Sequence, residues 1–192
     1  MARASTFLKI PKERVGVLIG PEGKIKKIIE NKLSVELQID SESGDVAIML
    51  AEKAEDPSLL FRAKDVVTAI GRGFSPEYAF RLIRDDEAIL DVIDLRTFFG
   101  RSESDIRRVK GRIIGMNGKT RGIIEELTNT HVAVYGHTVS IIGGIEEAHV
   151  AREAIQMLID GNMHSAVYRF LHKRRRELKK KMLELWEKRP EE

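Results

Sequence analysis

The amino-acid sequence predicts an α+β fold built from two copies of one unit, each of three strands and three helices, followed by a C-terminal helix. Three observations carry this. A glycine-bracketed stretch occurs twice, as Ile19-Gly20-Pro21-Glu22-Gly23-Lys24 and Ile114-Gly115-Met116-Asn117-Gly118-Lys119, at an offset of 95 (Gly115 against Gly20). Ile28-Ile29-Glu30 and Ile123-Ile124-Glu125 repeat at the same offset. Around both stretches the hydrophobic periodicity gives one order: strand, helix, loop, helix, strand, strand, helix.

In the first copy, residues 5–10 alternate weakly and stop at Pro11, as a short strand does. Residues 12–19 form a short helix running into the glycine loop. Ile25, Ile28, Ile29 and Leu33 then share one helical face, with Lys24, Lys26 and Lys27 off it. Val35, Leu37 and Ile39 alternate with Glu36, Gln38 and Asp40, which is a half-buried strand. Residues 41–45 carry turn chemistry and 46–50 are the returning strand. Asp56-Pro57 opens a helix that reaches Gly71. Ser75-Pro76 starts a fresh helix, so the expected units are residues 1–74 and 75–162, with a basic C-terminal helix in 163–192.

The second copy replays the order. Residues 88–95 are a strand, 102–114 a helix and 118–129 the next helix. Residues 132–135 and 138–142 pair across Gly136-His137. A helix from 146 to 160 ends at Gly161. In the tail, a helix over 166–188 sets Val167, Leu171, Leu178, Met182 and Leu185 on one face, with Lys173-Arg174-Arg175-Arg176 and Lys179-Lys180-Lys181 between them. That pattern fits a helix packed on its own domain, and equally an RNA- or protein-binding arm.

Composition bounds the function classes. The chain of 192 residues, 42% hydrophobic, can bury a core in each of two small domains. No run approaches the 18 or so apolar residues of a membrane span, and Met1 to Thr6 lack the apolar stretch of a secretory signal. Zero cysteines exclude disulfides, thiolate metal sites and cysteine nucleophiles. A cytoplasmic protein is expected. Charged residues make up 33% of the chain and Asn and Gln are few, a bias typical of hyperthermophile proteins. The net charge of +3 is uneven: from Met163 onward ten Lys/Arg face five Glu, so the rest of the chain is slightly acidic.

The chemistry concentrates in the second glycine stretch. Gly115 and Gly118 remove side chains that would hold another backbone away. The helix that follows opens with Lys119, and its free N–H groups and dipole favour an anion. A phosphate backbone therefore fits on the loop. Gly118-Lys119-Thr120 looks like the end of an NTP-binding P-loop, but Ile113 stands where that loop needs glycine. The five histidines show no HExxH spacing, and acidic pairs such as Asp85-Asp86 and Glu125-Glu126 are adjacent rather than facing across a helix. No nucleophile–base arrangement, metal site or cofactor site is expected, so the chain reads as a non-enzyme.

The doubled strand–helix–GxxG–helix–strand–strand–helix order resembles the KH domain in its type I (βααββα) form, over about residues 5–73 and 75–161, which implies a three-stranded antiparallel sheet packed on three helices in each unit. The stretch from Gly111 to Glu125 is similar to the loop of the archaeal and eukaryotic pre-ribosomal KH family, the partners of the rRNA dimethyladenosine transferase and the Nob endonuclease. Two KH domains with a basic C-terminal helix fit that family too. The resemblance implies a GxxG loop that clamps about four single-stranded nucleotides. It also implies non-catalytic binding at the 3′ end of small-subunit rRNA during ribosome assembly, with a ribosome-assembly or translation-factor protein as a further partner. An exosome-type or mRNA-regulatory RNA binder is the alternative.

Carried onto this sequence, the RNA contacts in the second copy are Arg112, Gly115, Met116, Asn117, Gly118, Lys119, Thr120 and Arg121. Val132 and Val134 would read bases through their backbone. In the first copy they are Gly20, Pro21, Glu22, Gly23, Lys24 and Lys27. Two departures stand out. KH domains place an aliphatic residue three positions after the second glycine, where this chain has Lys26 and Arg121. Pro21 removes an N–H donor and Glu22 sets an acid against a phosphate, so the second loop is expected to be the stronger site.

Overall fold

The computed structural model describes residues 4–54 and 56–187, without the side chains at 182 and 185–187. The first unit runs β1 (Ser5–Lys9), α1 (Lys12–Ile19), α2 (Lys24–Leu33), β2 (Val35–Ile39), β3 (Asp45–Leu50) and α3 (Ser58–Gly71). Two single-turn helices follow, α4 (Pro76–Ala79) and α5 (Arg81–Arg84). The second unit is β4 (Ala88–Asp94), α6 (Arg96–Phe99), α7 (Glu103–Ile114), α8 (Lys119–Thr128), β5 (His131–Tyr135), β6 (Thr138–Gly144) and α9 (Ile145–Ile159), and α10 (His164–Glu187) closes the chain. Each sheet is antiparallel with its last strand in the middle, in the order β1-β3-β2 and β4-β6-β5. The expected mixed fold of two three-stranded units and a C-terminal helix is the observed one.

Local chemistry explains the element ends. The Asp56 carboxylate accepts the Ser58 N–H at 2.8 Å and starts α3. In the β2–β3 turn, Asp40 accepts the Ser43 hydroxyl and the Glu42 N–H. Those bonds, the Ser43 one foremost, hold its carboxyl below the usual range. Helices α2 and α8 both end on a left-handed residue, Ser34 (φ 49) and Asn129 (φ 54).

Each unit has its own core. Leu18, Ile29, Leu37, Ile48, Val67 and Ile70 fill the first, and Ile113, Ile124, Val139, Ile141, Ile155 and Leu158 the second. The two cores adjoin. Ala79 and Leu82, from the short helices that open the expected second unit, are buried in the first core. Ala88 and Ile142 are also buried there, with Leu90 and Ala133 packed alongside, so the outer face of the second sheet lies against the first unit. β6 is buried on both faces, so Thr138 and Ser140 are as enclosed as Val139 and Ile141.

Polar contacts tie the units at the same seam. The Tyr135 hydroxyl donates to Glu13 at 2.5 Å, Arg81 donates to the Asn129 carbonyl, and Tyr78 stacks on His131 with ring centroids 4.2 Å apart. In the tail, Val167 and Leu171 are fully buried and Leu178 is packed beside them. Met182, Leu185 and the expected helix end at Lys188 lie outside the described side chains and residues. Much of the basic run is paired: Arg174 with Glu153 and Glu177, Arg175 with Glu126, and Lys181 with Glu146. These pairs pin α10 to α8 and α9.

Candidate nucleic-acid interface

The two glycine loops have the same backbone. Gly20 and Gly115 both sit at φ 71, ψ 175, a region open essentially to glycine alone. Glu22 and Asn117 follow in the left-handed region at φ 53, and Gly23 and Gly118 at φ 72 and 76. The first glycine of each loop is also sterically required. A Cβ on Gly20 would stand 2.9 Å from Ile25 Cβ, and one on Gly115 would stand 2.8 Å from both Thr120 Cβ and Thr120 N. The second glycine is different: nothing lies within 4 Å of a Cβ at Gly23, and only the Arg121 guanidinium lies that near one at Gly118. Its outer side is open to a ligand.

A second device recurs in both units. Glu30 accepts the Leu37 N–H and Glu125 accepts the Val132 N–H, each at 2.8 Å. Lys26 lies 3.8 Å from Glu30, and Arg121 lies 3.9 Å from Glu125. The cation that departs from the KH pattern is thus one end of a relay: cation, carboxylate, edge-strand amide. Strands β2 and β5 are sheet edges whose outward peptide groups lack a strand partner. The relay closes one of these groups. Because ladder groups alternate, the Val134 peptide faces outward too, two residues further on.

The structure directs three of the expected RNA contacts elsewhere. Arg112 donates from Nε and Nη2 to the carbonyls of Leu158 and Asn162, at 3.3 and 2.5 Å, where it caps the end of α9. Arg14 does the same for α3 through Ile70 and Phe74. Thr120 is buried, its hydroxyl 3.0 Å from the Tyr168 hydroxyl of α10. Val132 has its amide occupied by Glu125 and its side chain in the core.

Met116 (82% exposed), Asn117 and Lys119 form the open crest of the second loop, with Arg121 exposed at its foot. In the first loop Pro21 and Glu22 are exposed, and Lys24 pairs with Glu22 at 3.6 Å, which takes up part of the charge that favours an anion there. Lys27 is exposed on the following helix.

Sequence reasoning missed two cations beside the second loop. Arg107 and Lys110 share a face of α7 that looks onto the β5–β6 turn across a cleft of about 320 Å³, together with Arg96, Glu103 and His137. Lys110 donates to the Gly136 carbonyl at 2.8 Å and closes the cleft's end. Their helical spacing with the Gly115 loop was the available signal. Among the described residues no group of three His, Asp or Glu could hold a metal ion. None of the described helices is long and apolar enough to cross a membrane.

Comparison with known proteins agrees with this architecture. Residues 89–176 match the family described as eukaryotic type KH-domain (KH-domain type I), and residues 6–85 match the Krr1 KH1 domain. A KH domain-containing protein of Methanocaldococcus jannaschii is 48% identical over 95% of this chain and 79% of its own length. The chain belongs to the tandem KH family of pre-ribosomal proteins. Within that family, the pre-rRNA-processing protein PNO1 of Phaeosphaeria nodorum is 30% identical over 83% of this chain, and the match spans 61% of that fungal protein. Among solved structures, a protein of unknown function from Aeropyrum pernix superposes with a TM-score of 0.92 at 39% identity, covering 98% of this chain and all of the other. A chain of an a/eIF2alpha–aDim2p–rRNA complex from Pyrococcus horikoshii superposes with a TM-score of 0.83 at 44% identity, covering 91% of this chain and 96% of the other.

Proposed function

We propose that this protein is a non-catalytic binder of single-stranded RNA, acting on the 3′ end of small-subunit rRNA during ribosome assembly, outside any membrane. The observation that carries the proposal is the second glycine loop. Its backbone leaves the Gly118 side open, its crest offers Met116 and Asn117 with no acid, and Lys119 follows at the head of α8. A phosphate on the crest meets N–H groups and a positive helix end. The bases would then reach the edge of β5, where the Val134 peptide can read them. Gly115, Met116, Asn117, Gly118, Lys119 and Val134 are therefore the proposed contacts, with Arg107 and Lys110 across the cleft. Arg121 acts indirectly through Glu125.

The first loop (Gly20, Pro21, Glu22, Gly23, Lys24, with Lys27) is the weaker candidate, because it has one N–H fewer and an added acid. The Pyrococcus relative's complex holds rRNA together with a/eIF2alpha, which supports both an rRNA target and a protein partner of the translation- or assembly-factor class. The test is fluorescence anisotropy on a small-subunit rRNA 3′-end oligonucleotide, alone and annealed to its complement, followed by incubation with Mg²⁺ and Mn²⁺. Binding of the single strand in preference to the duplex, without cleavage, is expected. Equal affinity for the duplex, or multiple-turnover cleavage that survives stringent purification, contradicts the proposal.

A further inference from the structure

Behind the second glycine loop lies another cleft, of about 420 Å³. It opens on the face of α7 that carries Arg108 and Arg112, not on the face of Arg107 and Lys110. Lys119 and Thr120 form one wall, and His164 and Tyr168 of α10 form the other. We propose that this cleft is a second RNA subsite, taking the phosphate and base of the nucleotide that flanks those held by the loop; the inference rests on the RNA-binding role proposed above.

Its charge is the first argument. Three cations, Arg108, Arg112 and Lys119, line the cleft and no acid does. Arg108 is paired with Asp105 at 3.1 Å but remains largely exposed, and Lys119 makes no ion pair among the described residues. Arg112 is held by two carbonyls, through Nε and Nη2, and adds its positive charge to the cleft. Lys119 belongs to both the cleft and the loop, so a backbone crossing the loop comes within its reach from either side.

The second argument is the internal copy. Arg108, Arg112 and Thr120 correspond, at the 95-residue offset, to Glu13, Val17 and Ile25. Glu13 there accepts the Tyr135 hydroxyl, which holds its carboxyl below the usual range. The shared fold therefore does not demand cations at the positions of Arg108 and Arg112, which the second unit alone has, whereas Lys119 corresponds to Lys24 and is common to both. Two hydrogen bonds also fix the far wall in place. His164 Nε2 lies 3.0 Å from the Arg112 carbonyl oxygen, and the Tyr168 hydroxyl lies 3.0 Å from Thr120 Oγ1. The wall thus sets two rings, 6.2 Å apart, beside a basic pocket. Aromatic faces next to cations are what a splayed nucleotide binds.

Four-nucleotide and eight-nucleotide single strands of the rRNA 3′ end separate this subsite from the loop, because the loop alone holds about four nucleotides. Anisotropy is measured for the wild type, for Arg108→Glu, and for Arg101→Glu as an exposed cation away from the cleft. Arg108→Glu is expected to weaken the eight-nucleotide strand about fivefold or more, Arg101→Glu about twofold or less, and neither to change the four-nucleotide strand by more than about twofold. Arg108→Ala should lower the salt slope on the eight-nucleotide strand by about 0.7, the value of one phosphate contact on a single strand. Equal losses for Arg108→Glu and Arg101→Glu, or equal losses on the two strand lengths, overturn the subsite while leaving the loop proposal standing. A wild type that binds neither strand overturns the RNA-binding role itself.

Discussion

Replacing each glycine of the second loop by alanine should produce two different defects. At Gly115 the added methyl meets Thr120 Cβ and the Thr120 amide nitrogen, both at 2.8 Å, and Thr120 is itself held by Tyr168. The backbone there lies in a region that costs a non-glycine residue about 1–3 kcal/mol, and overpacking adds about 1–3 kcal/mol. Reduced freedom of the unfolded chain returns about 0.4–1 kcal/mol. The net loss for Gly115→Ala is roughly 1–5.5 kcal/mol. At Gly118 only the left-handed penalty of about 1–2 kcal/mol applies, partly offset in the same way, so Gly118→Ala should lose about 1.5 kcal/mol or less. Urea unfolding of the full chain reads both values as shifts in midpoint at constant slope. Gly118→Ala instead places its methyl in the open space proposed for the phosphate, so its RNA affinity should fall further than its stability. If Gly115→Ala unfolds no earlier than Gly118→Ala, the packing account of the loop is wrong.

Two other outcomes follow from polar contacts. Glu125→Gln keeps an acceptor for the Val132 amide and Glu125→Ala removes it; the alanine variant should lose about 1–2 kcal/mol in urea unfolding and the glutamine variant less than half of that, and equal losses would show that the carboxylate does not hold the strand edge. Burial, followed by the charge of Arg81, pushes the His131 pKa below its ordinary value. The unfolded chain therefore binds this proton first, and its contribution to stability is lost as pH falls below about 6.5. His131→Phe keeps the stack on Tyr78 and should flatten the decline in melting temperature between about pH 7.5 and 5.5; an unchanged slope would exclude His131 as its source.

Much of this was legible in the sequence. The 95-residue repeat gave both loops and the element order, because glycine spacing and hydrophobic period are local properties. What escaped were features set by tertiary packing. Helix α6, a single turn, lacks enough length to show a period. Glu30 and Glu125 were visible as repeated letters, yet their role depends on a strand amide seven residues away. Arg112 reads as a phosphate ligand until α9 ends beside it, since a cation serves a carbonyl cluster as readily as a phosphate. Thr120 looked open until α10 covered it with Tyr168. The tail's positive charge suggested an RNA arm, but the acids that partner much of it lie on α8 and α9.

The claim that the second loop carries the RNA is tested most directly by charging the crests of the two loops. Met116 and Asn117 are both replaced by Asp in one variant, and Pro21 and Glu22 in the other. Asn117 and Glu22 occupy the left-handed region, which Asp tolerates, so both folds should persist. The first variant sets two new negative charges against the phosphate, and at a partly exposed site each should cost on the order of 1 kcal/mol. Affinity for the single-stranded rRNA 3′-end oligonucleotide at one fixed salt concentration should fall about tenfold or more. The second variant adds one charge at a loop already acidic and should lose much less. An equal or greater loss from the Pro21 and Glu22 variant would place the binding loop in the first domain and contradict the account.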